Sequence, residues 1–298
     1  WLAAAAHQNL WEQDRSEHGR LTRARLGACG GQGSGASPLC TRPDEAAARI
    51  GGAEFYRATA RRFLGIPPPI CAVLRGCGAC GQKFEGLGVF VHPLQRAAHL
   101  AACNASPHSA AGADKRLPSY HFTHACLRDA LASALRDAGI YTQTEVVGMM
   151  EGNTRPGDVV GWTATQTLVL DVTVTHLLTP SNVNDAARAP GLAISADEKI
   201  KRDKYEVECR EKNYTFVPFA VDDFGHLGDS AQNFLEQLAA RTAVSRTGDF
   251  REGSDEAGRR AFWLRTWRAR IAWAVHRGIE LSLERRMQRS ADAAVGYG

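Results

Sequence analysis

The residues best suited to chemistry in this sequence are two aspartates, Asp158 and Asp171, with twelve residues between them. Asp158 stands at the start of a short apolar segment, and Asp171 lies inside the β-branched segment 167–175. Two antiparallel strands joined by a turn near residues 163–166 would bring both carboxylates to the same end of a sheet. An ionised side chain inside a strand is costly unless it is paired or binds a metal. The pair therefore predicts a site for Mg²⁺, which prefers oxygen ligands and keeps open coordination positions.

A lysine close to such a carboxylate pair would complete a hydrolytic site. Bound Mg²⁺ can activate water and neutralise charge on a phosphate, and a lysine can orient that water or stabilise the developing charge. Glu145, in an earlier predicted strand, is a further candidate carboxylate. The alternative role is structural, with Asp158 at a turn and Asp171 in a salt bridge to a lysine. The candidate lysines lie together on one predicted helix: Lys199, Lys201 and Lys204.

Hydrophobic periodicity predicts the elements that must position these residues. A first helix is expected over residues 45–64, before the prolines at 67–69. The order of the later elements indicates an α/β fold class with a mixed sheet. Those elements are helix 124–138, strands 141–150, 158–162 and 167–175, helix 193–212, strand 215–221 and helix 230–241.

A second set of residues has the types and spacing of a metal site. A C-x2-C turn places two thiolates together, and H-x3-C places two ligands one helical turn apart, as tetrahedral Zn²⁺ requires. Four protein ligands leave no position for water, so the expected role of the zinc is structural. Cys71 and His92 are substitute ligands, and the alternative is that Cys103 is a buried thiol and His99 merely polar. The predicted zinc ligands are Cys77, Cys80, His99 and Cys103.

Positive charge is concentrated towards the end of the chain. The formal net charge is only +4, yet residues 259–289 hold nine arginines against two glutamates. Such a run suits a phosphate backbone, and a solvated basic helix face explains it equally well. Trp263, Trp267, Ile271 and Val275 share one helical stripe there, which favours core packing over base stacking.

Eight unevenly spaced cysteines without a secretory signal favour reduced thiols, and no apolar run is long enough for a membrane span.

Short motifs around these residues resemble those of a nuclease family. The motifs are RPGD at 155–158, DVTVT at 171–175, K-x2-KY at 201–205 and F-x-PFAV from Phe216. They are similar to the motifs of the PD-(D/E)xK nuclease superfamily. More narrowly, the chain resembles the restriction-endonuclease-like domain at the C-terminus of non-LTR retrotransposon proteins. In those proteins a Cys-Cys-His-Cys zinc knuckle and a His-containing helix, here at residues 120–124, precede the nuclease.

The resemblance implies a fold and a set of site residues. It covers roughly residues 70–240 and implies a restriction-endonuclease-like αβββαβ core at 119–245, preceded by a zinc knuckle at 71–104. Outside this range, composition predicts a poorly structured, partly helical region at 1–70, and periodicity predicts a basic amphipathic helix at 255–290. The implied enzyme is a Mg²⁺-dependent DNA endonuclease. Its implied site residues are Asp158 and Asp171 as Mg²⁺ ligands, with Lys201, Lys204 and Glu145 beside them.

The implied activity is nicking of target DNA, so that a reverse transcriptase can prime from the new 3′ end. The expected partners are DNA and element RNA, the expected location is the nucleus, and the polymerase region would lie upstream of Trp1. Two positions depart from the family pattern: Thr173 stands where a lysine is usual, and Gly157 interrupts the Pro-Asp pair. A lysine on the following helix can replace the usual one. The alternatives are an inactive nuclease domain, a non-catalytic zinc-knuckle nucleic-acid-binding module, and a zinc-stabilised interaction protein.

Overall fold

The computed structural model describes the chain in several ranges, and all structural statements concern these residues. They are residues 20–25, 53–68, 71, 74–77, 82–84, 93–103, 120–151, 155, 157–189, 191–251 and 253–295. The protein is mixed α/β, as the sequence predicts, with one four-stranded sheet. None of the helices in these ranges has the length and apolar character needed to cross a membrane.

The helices and strands follow one another closely along the chain. Before the sheet come α1 (Ala53–Phe63), α2 (Pro93–Ala102) and α3 (Tyr120–Asp137). The sheet region contains β1 (Tyr141–Thr144), β2 (Val159–Trp162), β3 (Thr167–Thr175), α4 (Val183–Arg188), α5 (Leu192–Glu211) and β4 (Tyr214–Asp222). After it come α6 (Asp229–Ser245), a 3₁₀ turn (Thr247–Asp249) and α7 (Glu256–Val295).

The sheet has the order β1-β2-β3-β4 and mixed direction. β1 pairs with β2 and β2 with β3 in antiparallel fashion, whereas β3 and β4 are parallel. The predicted turn between β2 and β3 is confirmed, since the Thr163 N–H donates to the Gln166 carbonyl at 3.0 Å. A parallel pair cannot be joined by a hairpin, so α4 and α5 carry the chain across the sheet from β3 to β4.

The side chains of strand β3 lie alternately on the two faces of the sheet. Its β-branched residues suit an extended backbone, and alternate side chains point to opposite faces. Leu168, Leu170 and Val172 belong to the main core, which also contains residues of α3, α6 and α7. Val169 packs instead with Cys209 of α5. Asp171 has the parity of Val169 along the strand and therefore lies on the α5 side of the sheet.

The long C-terminal helix α7 packs into the same core. Trp267, Ile271 and Val275 are buried, so the apolar stripe serves packing, as its spacing predicts. Trp263 stacks on Trp267 with 5.4 Å between ring centroids. Gly278 allows α7 to approach α3 closely, because a Cβ at that position would lie 2.4 Å from the α-carbon of Thr123.

Several predicted boundaries were wrong, and each has a local cause. The first strand was expected over 141–150 but ends at Thr144, because Glu145 adopts a left-handed φ of 58° that a strand cannot continue. The second strand begins at Val159 and not at Asp158. Helix α4 was not predicted; its six residues are too few to show helical periodicity. Of the helix expected over 45–64, the part before Ala53 lies outside the described residues.

Candidate active site

The structure brings Asp158 and Asp171 together on neighbouring parts of the sheet. The Asp158 N–H donates to the Leu170 carbonyl at 2.9 Å, and the Asp158 carbonyl accepts the Glu145 N–H at 3.0 Å. The backbone of Asp158 is thereby held between β1 and β3, one position before β2 begins. Asp171 directly follows Leu170 in β3, and each of the two side chains is less than a tenth exposed. The two carboxylates are close enough for the charge of Asp158 to raise the pKa of Asp171.

Asp158 is the carboxylate with more hydrogen-bond contacts. Its Oδ2 accepts the Val172 N–H at 2.7 Å and lies 3.0 Å from Nε2 of His124. Burial alone would raise the pKa of Asp158, but the hydrogen bond and charge of His124 and the Val172 N–H outweigh burial. The pKa therefore falls below its ordinary value, and Asp158 is a carboxylate at neutral pH.

In the described part of the chain, one cation contacts Asp171. The ammonium of Lys201 on α5 lies 2.7 Å from Asp171 Oδ2. Burial is the largest influence on the pKa of Asp171 and raises it; the Lys201 contact lowers it, and Asp158 adds to the rise. The net direction is upward. Burial is the largest single influence on the pKa of Lys201 and lowers it, but the contact with Asp171 and the charges of Tyr205 and Asp158 together raise it more, so the ammonium form is favoured.

The two other candidate lysines do not join this group. Lys199 is exposed on α5. Lys204 is also exposed, and its ammonium lies 4.6 Å from the centroid of the Tyr205 ring. Of the three lysines considered, Lys201 is therefore the one that reaches the aspartates.

Glu145, the third candidate carboxylate, lies in a separate ion-pair group. Its Oε1 accepts a hydrogen bond from Arg128 Nη1 at 2.8 Å, and its Oε2 contacts Arg155. The left-handed backbone at Glu145 ends β1 and directs the chain into the following loop. Its carboxylate accordingly fixes the arginine of the RPGD motif near the site, and the structure does not bring it to Asp171.

The residues around Asp171 form a donor set that suits a divalent cation. Both carboxylates are buried; the Lys201 ammonium contacts Asp171, and the His124 imidazole contacts Asp158. Thr173, on the same face of β3 as Asp171, has a buried Oγ1 that makes no hydrogen bond with the described residues. Buried polar atoms without a partner are uncommon and often mark the place of water or an ion. Carboxylate, hydroxyl and water oxygens are the ligand types that Mg²⁺ prefers.

Three of the four predicted zinc ligands also meet. The ligand atoms of Cys77, His99 and Cys103 all lie within 4.8 Å of one another, whereas Cys80 and His92 lie outside the described residues. The Cys77 and Cys103 sulfurs are 3.8 Å apart, which is far longer than a disulfide of about 2.05 Å. Two sulfurs bound to one tetrahedral zinc at about 2.3 Å would be about 3.8 Å apart.

Local structure explains how these ligands converge. The Cys77 N–H donates to the Gln82 carbonyl at 2.8 Å, and Gly76 forms an antiparallel bridge with Lys83. His99 lies in the last turn of α2, and Cys103 follows the end of that helix. Cys71, the substitute ligand, is not part of the group; burial raises its pKa to about 12 despite the opposing charge of Arg96, so it remains a thiol.

Several arginines of the segment 259–289 form contacts within the protein. Arg268 contacts Glu236 at 3.1 Å, and Arg270 contacts Asp137 at 2.6 Å. Arg286 is buried and donates to the Cys103 carbonyl at 2.8 Å. The exposed arginines of α7 include Arg260, Arg265 and Arg277. A phosphate contact by this helix would therefore involve fewer cations than the composition of the segment suggests.

His124 is the contact residue to which sequence reasoning assigned no role. The segment 120–124 was recognised as a His-containing helix, but the spacing of one histidine gives no information about its tertiary partner. The signal available in the sequence was only its place near the start of a helix that precedes the aspartates.

No protein-family model matches this chain, and no curated protein matches it significantly in sequence.

Proposed function

We propose that this chain is a Mg²⁺-dependent DNA endonuclease domain with a restriction-endonuclease-like fold, derived from a retrotransposon protein. The observation that carries the proposal is the contact of the Lys201 ammonium with Asp171 at 2.7 Å, beside the buried Asp158 carboxylate. Two carboxylates and a lysine around one point are the groups that metal-assisted phosphodiester hydrolysis uses. The order α3, β1, β2, β3, α5, β4 is compatible with the αβββαβ core of this family.

Asp158 and Asp171 would hold the metal, and each other residue has a separate task. When bound, Mg²⁺ would supply an activated water and neutralise charge on the scissile phosphate. Lys201 would donate a hydrogen bond to that water or to a phosphate oxygen. Attack of the water oxygen on phosphorus with loss of the 3′ oxygen leaves a 3′ hydroxyl and a 5′ phosphate. A 3′ hydroxyl is the end that a reverse transcriptase can extend.

A structural zinc at Cys77, His99 and Cys103, with Cys80 as fourth ligand, belongs to the same proposal. The separation of 3.8 Å between the Cys77 and Cys103 sulfurs supports it. This segment shares the main core with α3 and the sheet, so zinc would stabilise one flank of the nuclease. DNA and element RNA are the proposed partners, and the nucleus is the proposed location.

A plasmid-nicking assay tests the central proposal. Purified protein is incubated with supercoiled plasmid in Mg²⁺ or in EDTA, beside the variants Asp171→Asn and Asp203→Asn. Asp203 is an exposed aspartate on α5 and serves as the matched control. We expect Mg²⁺-dependent nicking by the parent protein and by Asp203→Asn, and a loss of at least about 100-fold in Asp171→Asn because a metal ligand is removed.

The same assay separates the second candidate, a non-catalytic nucleic-acid-binding module. The compact Cys77, His99 and Cys103 group is the observation that favours it, since a zinc knuckle can bind nucleic acid without cutting. Intact plasmid under all conditions, together with zinc-dependent retardation of DNA on a gel, would replace the endonuclease proposal with this one.

A further inference from the structure

His124 contacts the candidate site through one oxygen of Asp158. It lies near the start of α3, and its Nε2 is 3.0 Å from Asp158 Oδ2. The same oxygen accepts the Val172 N–H at 2.7 Å. Both contacts of this carboxylate with described residues fall on Oδ2, so Oδ1 is the oxygen available to a ligand.

The chemistry of the contact fixes the role of the imidazole. Oδ2 already accepts the Val172 N–H at 2.7 Å, as a carboxylate oxygen does. A carboxylate can only accept hydrogen bonds, so Nε2 of His124 must carry the hydrogen and donate it. The His124 side chain is 23% exposed, whereas that of Asp158 is 9% exposed, so the imidazole screens the carboxylate from solvent on this side.

We propose that His124 is a positioning residue, whose Nε2–H and the Val172 N–H together hold Asp158 so that Oδ1 remains available to a divalent cation beside Asp171. This inference rests on the proposed function, because it deepens the assignment of Asp158 as a metal ligand. Hydrogen-bond donors to metal ligands fix the orientation of the ligand, and their loss typically costs about 10- to 100-fold in metal affinity. The Val172 N–H belongs to the backbone of β3, so His124 is the side chain whose replacement can test this support.

A second histidine–carboxylate pair provides a matched control. His176 Nδ1 lies 3.6 Å from Asp223 Oδ2, with both side chains largely buried. His176 follows the end of β3, and Asp223 follows the end of β4. Neither belongs to the group around Asp171. His176→Leu therefore removes a partly buried histidine next to a carboxylate, as His124→Leu does, but at the end of β3 and outside the candidate site.

The experiment measures binding of Mn²⁺ to the full chain by isothermal titration calorimetry, without DNA. We compare the parent with His124→Leu, His124→Gln and His176→Leu, and we monitor the fold of each by its thermal unfolding midpoint. Glutamine can place an amide N–H close to the position of the imidazole Nε2. We expect His124→Leu to weaken Mn²⁺ binding by about 10- to 100-fold, His124→Gln to recover most of the loss, and His176→Leu to bind as the parent does.

The possible results distinguish the inference from the proposal beneath it. If Asp158→Asn and Asp171→Asn bind Mn²⁺ as tightly as the parent, the metal site itself is wrong. If both abolish binding while His124→Leu binds normally, only the role of His124 is overturned. Equal losses in His124→Leu and His124→Gln also overturn it, because the imidazole would then act by packing. Should His124→Leu fail to fold, His124→Asn replaces it, since its shorter amide cannot reach Oδ2; affinity equal to that of His124→Gln refutes the inference.

Discussion

Replacing Lys201 by methionine removes the ammonium from the candidate site and keeps most of the length of the side chain. The lost contact is the 2.7 Å ion pair with Asp171. The carboxylate would stay behind, buried and next to the negative charge of Asp158, which already raises its pKa. The substitution therefore has two measurable consequences, one for stability and one for catalysis.

The cost in stability follows from the burial of the pair. Removing one partner of a fully buried ion pair costs about 3–5 kcal/mol, whereas exposed pairs contribute about 0–1 kcal/mol. The Asp171 side chain is 8% exposed and that of Lys201 is 29% exposed, so the pair lies between these limits. We expect the free energy of unfolding to fall by about 1–3 kcal/mol in urea. Lys199→Met, at an exposed position of the same helix, should change it by less than about 0.5 kcal/mol.

The cost in catalysis should be larger than the cost in stability. Removing one donor that stabilises developing charge typically lowers kcat by about 10²- to 10³-fold. We expect a loss of that size for Lys201→Met in plasmid nicking at saturating Mg²⁺, at a temperature where the variant is fully folded. Lys199→Met and Lys204→Met should nick within about threefold of the parent, because neither lysine reaches the aspartates.

Moving the ammonium to another element provides the sharper test. Thr173 lies on the same face of β3 as Asp171, two residues and about 6.6 Å further along the strand. A lysine there can extend towards the position that Lys201 leaves. We expect Thr173→Lys in the Lys201→Met background to regain at least about tenfold in nicking. Nicking by Lys201→Met at the rate of the parent would refute the reasoning, since the ammonium would then be only a structural counterion.

Three further predictions concern the surroundings of the site. Cys103→Ser should lower the zinc content measured by native mass spectrometry, while Cys126→Ser should leave it unchanged because Cys126 lies outside the ligand group. Asp222 is buried, and burial together with the charge of Asp223 raises its pKa well above 3.8. The contribution of Asp222 to stability is therefore fully present below pH 3.8 and is lost as the pH rises through the folded-state pKa. Asp222→Asn should make the free energy of unfolding, measured in urea at several pH values, depend less on pH. Trp267→Ala should cost about 3–5 kcal/mol because it empties a fully buried position, and a cost below about 1 kcal/mol would contradict the core assignment.

Strand β3 shows how much the sequence could predict. Its β-branched residues and their alternation determine both its extent and the face of Asp171, because burial on both faces rewards those residue types. The hairpin to β2 is a local structure, so the approach of Asp158 to Asp171 was also predictable. The mixed α/β class followed from the order of such elements.

The choice among the lysines required the packed structure. Lys201 and Lys204 are three apart and share a face of α5, so their sequence spacing cannot say which one faces β3. That is decided by where the helix begins, after Gly191 with its left-handed φ of 80°, and by how it packs on the sheet. Glu145 was misplaced for a similar reason: its left-handed φ of 58° is a single-residue feature without a sequence signal.

The positive segment of α7 shows the limit of reasoning from charge. Counting arginines predicts a phosphate-binding surface, but Arg270 is engaged by Asp137 on α3, and Arg286 is engaged by the Cys103 carbonyl after α2. These partners lie more than a hundred residues away along the chain. Only the tertiary structure shows which cations remain on the surface.

The opposite pKa shifts of the two aspartates follow from the donors that each one receives. Asp158 has a backbone N–H and an imidazole on one oxygen, and these overcome burial, whereas Asp171 relies on Lys201 and also faces the charge of Asp158. The site thus combines Asp158, which two hydrogen-bond donors keep charged, with Asp171, whose charge is under-compensated. A divalent cation between them would neutralise the under-compensated charge and release Lys201 for a water or a phosphate oxygen.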